Sequence, residues 1–147
     1  MKPVELMIGD WVKISSQFAQ IYSVEHNTIG VLFSDGYDVF EPQSIEPVPL
    51  TNEILEASGF FKDTDDETVT TYHTLVPTGY EKYSFTIKVT LYKEPICGVH
   101  KLVKCWGWIP PYNGGLNDIH LCSVNYVHQL QHALRLCGVD MVITLKL

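Results

Sequence analysis

Ile45-Glu46-Pro47-Val48-Pro49-Leu50-Thr51 divides this chain into two textures. Prolines at 42, 47 and 49 cannot donate to a β-ladder, so the segment after Glu41 reads as an edge strand or an extended exit. On its N-terminal side lie short alternating runs. On its C-terminal side lie a short helix, longer strands and one good helical stripe. The chain is therefore expected to be α+β: a small SH3-like β-barrel over residues 1–50, then a module over 51–147 in which an antiparallel sheet packs with a helix at 124–137.

The first half is built from turn signals every eight to ten residues. Gly9-Asp10 turns the chain into Trp11-Val12-Lys13-Ile14, where Val12 and Ile14 share one face. Gln20 to Glu25 is a second run, ending at His26-Asn27. In Ile29-Gly30-Val31-Leu32-Phe33, the residues Ile29, Val31 and Phe33 point one way. Asp35-Gly36 predicts a tight hairpin into Tyr37–Phe40, because both residue types tolerate positive φ.

The second half opens at Thr51, which caps a helix over Asn52–Ser58 that stops at Gly59. Asp63 to Glu67 predicts a solvated loop. Val69–Val76, Tyr83–Leu91 and Val99–Trp108 predict neighbouring strands, with Tyr83, Phe85, Ile87, Val89 and Leu91 on one face of the second. Pro110 to Gly115 is a loop and Ile119–Cys122 a short strand. Ser123 is placed to cap a helix whose stripe is Val127, Leu130, Leu134 and Cys137. Met141–Leu147 predicts a last strand added to the same sheet.

Composition narrows the function classes. A chain of 147 residues that is 46% hydrophobic, 12% aromatic and 18% charged can bury a core without metal or disulfides. The formal charge of -7 and only ten basic residues oppose charge-driven binding to nucleic acid. Met1–Leu6 holds no apolar run of signal-peptide length, and no window approaches the roughly 18 apolar residues of a membrane helix. The four cysteines sit in apolar surroundings, as reduced thiols do. A cytoplasmic protein without membrane association is expected.

Several short patterns imitate chemistry and fail on one position each. His128 and His132 share a helix face as zinc-peptidase ligands do, but Gln129 stands where the general-base carboxylate belongs. A polar helix face is the simpler account, and a small metal-dependent hydrolase is the alternative function. Cys97, His100, His120 and Cys122 make two short pairs of zinc-type ligands, yet Cys97 and His100 project to opposite faces of a regular strand. Asp63, Asp65 and Glu67 start like a calcium loop that lacks its glycine and has Thr74 at the twelfth position. Gly114-Gly115 is followed by no Lys-Ser or Lys-Thr. No catalytic residue, resident metal or cofactor is assigned. Among the aromatics, Trp11, Tyr37 and Phe40 on the first module, with Trp106 and Trp108 on the second, are candidate binding platforms, against core packing as the ordinary role.

Three stretches in this order resemble a family of small proteins, with no established function, from gut anaerobic bacteria and their phages or mobile elements. They are Leu6–Val12, then Ser44–Thr51 continuing to Ile54-Leu55 and Gly59-Phe60, then Tyr126-Val127-His128-Gln129-Leu130-Gln131. The resemblance implies no activity. It implies that Gly9, Pro47, Pro49, His128, Gln129 and Gln131 are pattern positions, the last three serving to bind or to anchor the helix. Residues 62–117 match nothing in the pattern, and Leu136–Asp140 depart from it. The expected function is a non-enzymatic interaction or adaptor protein of phage or mobile-element origin. Another protein is its expected partner; a nucleic-acid-binding phage regulator is a further alternative.

Overall fold

A computed structural model describes residues 5–76, 84–96, 99–108, 116–136 and 142–145. The fold is α+β, with two five-stranded antiparallel sheets and one main helix near the C-terminus. The chain divides into two compact units: Met1–Pro49 with Tyr126–Gln131, and Leu50–Asn125 with His132–Leu147.

The first unit contains β1 (Trp11–Ile14), β2 (Gln17–Val24), β3 (Ile29–Phe33), β4 (Gly36–Phe40) and β5 (Glu46–Pro47), in the order β4-β3-β2-β1-β5. Alternation sends Val12, Ile14, Ala19, Ile21, Ile29 and Val31 into one core with Leu6 and Ile45. Burying such aliphatic side chains stabilises by roughly 1.5–3 kcal/mol each. Ser15 and Ser16 join β1 to β2 at φ 47 and 71, the doubly positive geometry that suits the twist of a two-residue hairpin. Between Ile21 and Ser23 the register shifts, so Tyr22 sits on a bulge.

Two expectations change here. The β3–β4 connection is Ser34–Asp35, not Asp35–Gly36: Phe33 pairs with Gly36, which opens β4 at φ 147. Gly36 supplies the positive φ just past the turn instead of within it. The sheet is also open, so a closed barrel does not appear, and β4 and β5 are its edges. Closure would need a ladder between them, and β5 offers two residues, one a proline paired with Val12.

In the second unit, α1 (Asn52–Ala57) is capped by Thr51, whose hydroxyl accepts from the Ile54 N–H at 3.3 Å. The sheet is a meander of β6 (Phe61–Asp65), β7 (Val69–Val76), β8 (Ser84–Ile96), β9 (Val99–Trp108) and β10 (Leu116–Ser123). Leu50, Leu55, Phe60, Ile87 and Val89 are each buried. Tyr72 is buried too, and its hydroxyl donates to Glu56 Oε1 at 2.9 Å. Burial, then the Glu56 carboxylate, holds its pKa well above the ordinary phenol range.

The expected loop at Asp63–Glu67 is partly strand, because β7 supplies a ladder to Phe61–Asp65. A charged sequence is tolerated there because β6 is an edge. Among the described residues the final strand is not found. Residues 142–145 lie outside the sheet, with Ile143 and Leu145 buried and the Thr144 N–H donating to Ser58 Oγ at 2.9 Å.

The main helix, α2 (Val127–Leu136), starts three residues later than expected, and Tyr126 takes the capping position in place of Ser123. Tyr126 is held extended by a bridge to Pro49, and the Val127 N–H donates to the Val48 carbonyl at 2.8 Å. Val127, Leu130 and Leu134 are buried, as the stripe predicts.

Candidate functional site

The edge of β4 exposes backbone and side chains together. The two-residue turn sets the hydrogen-bonding phase: Gly36, Asp38 and Phe40 face Phe33, Val31 and Ile29 as bonded pairs. The N–H and C=O groups of Tyr37 and Val39 therefore point outward, along the edge. Their side chains are exposed too, at 71% and 54%. The Val39 N–H donates to the neighbouring Asp38 Oδ1 at 2.8 Å, which confirms its outward direction.

The outer face of the sheet continues this surface. The register places Trp11, Gln20, Leu32 and Tyr37 in one row across four strands. Tyr22 packs edge-on to Tyr37, their ring centroids 4.9 Å apart. Its ring lies over Gly30, where an added Cβ would come within 2.7 Å of the ring and 2.3 Å of Ser23 Oγ. Glycine at 30 is thus the residue that lets Tyr22 lie down beside Tyr37.

On the other face a cleft of about 360 Å³ runs from the Ser15 turn to β4, with Ile14, Phe33, Asp35, Asp38 and Phe40 among its walls. Phe33 and Phe40 meet edge to face at 6.0 Å and pack on the core. The unit is strongly acidic: residues 5–49 carry seven carboxylates and one lysine, Lys13.

Of the residues expected to bind, Trp11 and Tyr37 share the outer face, whereas Phe40 lies on the inner one. The helical positions are placed structurally. Gln131 Oε1 accepts from the Trp11 N–H and its Nε2 donates to the Gly9 carbonyl, both at 2.9 Å. One side-chain amide thereby pairs with the backbone on either side of buried Asp10, whose Oδ2 accepts from the Met7 N–H at 2.7 Å. Gly9 takes φ 92 and donates to the Ile21 carbonyl at 2.7 Å. Gln129 Oε1 accepts from the Tyr126 N–H at 3.2 Å, the reciprocal half of a capping box. His128 is 4% exposed and stacks on the Tyr126 ring at 5.9 Å. His132 is half-buried.

The metal-like patterns find other partners. Asp63 pairs with His73 Nδ1 at 2.5 Å, and Asp65 with Lys93 Nζ at 2.9 Å. Lys93 and then the Thr70 hydroxyl hold the Asp65 carboxyl below its ordinary range. Asp66 Oδ1 collects the Val69 and Thr68 N–H groups at 2.9 and 2.7 Å, and these depress its pKa in the same direction. Cys97 and Gly114-Gly115 lie outside the described residues. Trp106, Trp108, His100, His120 and Cys122 are described by backbone alone. His120 pairs with Lys104, four residues and about 13 Å along β9 from His100. Among the described residues no group of three His, Cys, Asp or Glu stands close enough to hold a metal.

Sequence reasoning missed Tyr22, Leu32, Asp35, Asp38 and Val39. Strand parity was the available signal, since Tyr37 and Val39 must share one face and Asp38 and Phe40 the other. Comparison with known protein families, curated proteins and solved structures finds none that matches the chain.

Proposed function

We propose that this is a non-enzymatic adaptor of the cytoplasm, of phage or mobile-element origin, whose SH3-like first unit takes an extended segment of a partner protein onto the β4 edge. The observation that carries this reading is the outward backbone of Tyr37 and Val39, flanked by their own exposed side chains and by Tyr22 and Leu32. An added strand gains main-chain hydrogen bonds along such an edge, and side-chain pockets on alternate positions give selectivity. Nucleic acid is the poorer occupant, because seven carboxylates against one lysine repel phosphate.

The test uses Val39→Pro. This substitution removes an N–H that makes no ladder bond, so the sheet survives while the edge loses its donor. Partners are captured from source cells on immobilised wild-type protein and on the variant, with circular dichroism confirming the fold. Loss of a partner from the folded variant is expected. Retention of every partner would refute β4 as the docking strand.

A further inference from the structure

The two sides of β4 demand different side chains from one incoming strand. A strand laid along this edge alternates its side chains between the sheet's faces. Those on the outer face meet Tyr37 and Val39, both apolar in contact and largely exposed. Those on the inner face meet Asp38 and Phe40 and, toward the turn, Asp35 at the mouth of the cleft. Among the described residues no lysine or arginine lines that cleft, and Asp35 and Asp38 form no ion pair. A lysine or arginine fits such a wall: its aliphatic stem lies on the Phe33 and Phe40 rings and its charged head reaches the carboxylates. The acidic surplus of the whole unit draws a basic segment toward it.

Resting on the adaptor reading, we infer that the segment bound at β4 alternates apolar residues with lysine or arginine. Its basic side chains enter the cleft of Asp35 and Asp38, and its apolar ones cover Tyr37 and Val39.

Asp38 links charge to strand pairing. Its carboxylate already occupies the Val39 N–H, so a neutral strand must displace a charged acceptor before it can pair there. A cationic side chain draws the carboxylate to itself and leaves the Val39 N–H for the incoming carbonyl. Selection for charge and formation of the ladder are then one event. The same contact explains how an edge with exposed Tyr37 and Val39 avoids indiscriminate pairing.

The experiment measures fluorescence anisotropy of three labelled heptapeptides against the full chain: valine alternating with lysine, with serine, or with glutamate. The lysine peptide is expected to bind about tenfold tighter than the serine peptide at low salt, the margin shrinking as salt rises. The double variant Asp35→Asn with Asp38→Asn should remove most of that margin, leaving only the salt-sensitive pull of the unit's other carboxylates; its asparagine at 38 can still accept from the Val39 N–H. Val39→Pro, which changes no charge, should abolish binding of both. Equal affinity of the lysine and serine peptides for wild-type protein, with both lost in Val39→Pro, would overturn the inference and leave the edge reading standing. Lysine-peptide binding that is indifferent to Val39→Pro would overturn both, and so would failure of all three peptides to bind.

Discussion

The β4 and β6 edges solve the same problem in opposite ways. Each is the outermost strand of a five-stranded antiparallel sheet, five residues long. β6 reads Phe-Lys-Asp-Thr-Asp and carries a register shift between Lys62 and Thr64. Its charges are engaged: Lys62 with Glu56 at 3.3 Å, Asp63 with His73, Asp65 with Lys93. Charge and a bulge together close an edge to new strands. β4 is regular, and presents Tyr37 and Val39 with one removable guard, Asp38. The difference lies in how each edge is held: the β6 charges pair with residues of other elements, whereas the Val39 N–H of β4 is held by the carboxylate next to it in sequence.

The largest expected effect comes from making one edge resemble the other. Tyr37→Lys with Val39→Lys should weaken the lysine peptide by more than about thirtyfold, the scale of losing a central anchor, as anisotropy would show. The reciprocal change, Asp63→Val with Asp65→Val, should make the protein associate with concentration in sedimentation velocity, because β6 then loses its guard.

Next in size is the opposite end of the first sheet, where β1 is secured and β4 is not. Gln131→Leu removes the bonds to the Gly9 carbonyl and the Trp11 N–H, both half-buried, while Gln20 Nε2 still donates to that carbonyl at 3.3 Å. A loss of about 1–3 kcal/mol is expected in the urea midpoint, at unchanged slope. A smaller effect of opposite sign is expected at the Ser15 turn. Ser15→Asn with Ser16→Gly relieves the left-handed strain of the doubly positive φ by more than glycine adds to unfolded-chain entropy, and should gain about 1 kcal/mol in all, read as a higher Tm.

The smallest effect is on pH dependence at β6. The folded pKa values of Asp65 and Asp66 lie below 3.8, so their contribution is present above that value and is lost as pH falls through the folded ones. The protection of the Thr68 and Val69 amides, taken against the intrinsic exchange rate at each pH, should therefore fall below about pH 4.

Much of this fold was legible. Alternation placed β3, and a run rich in Val and Thr placed β7, at their observed bounds, and the prolines marked the edge strand β5. β6 escaped notice because its charges resemble a loop, and only the ladder from β7 makes them a strand. The Ser15-Ser16 turn carries neither glycine nor asparagine, so no local signal announces positive φ there. Gln131 shows a second kind of illegibility: its partners lie 120 and 122 residues away, and no spacing rule along one helix can find them. Within the candidate site, Trp11, Tyr37 and Phe40 stood out as aromatics, while Asp38 and Val39 gained meaning only once the turn had set their phase.

Amide hydrogen exchange by NMR, with and without saturating lysine–valine peptide, tests the docking edge most directly. Slowing at the Tyr37 and Val39 amides is predicted, with Asp38 and Phe40, already bonded to β3, unchanged. Unaltered exchange at Tyr37 and Val39 beside new protection along β6 would contradict it.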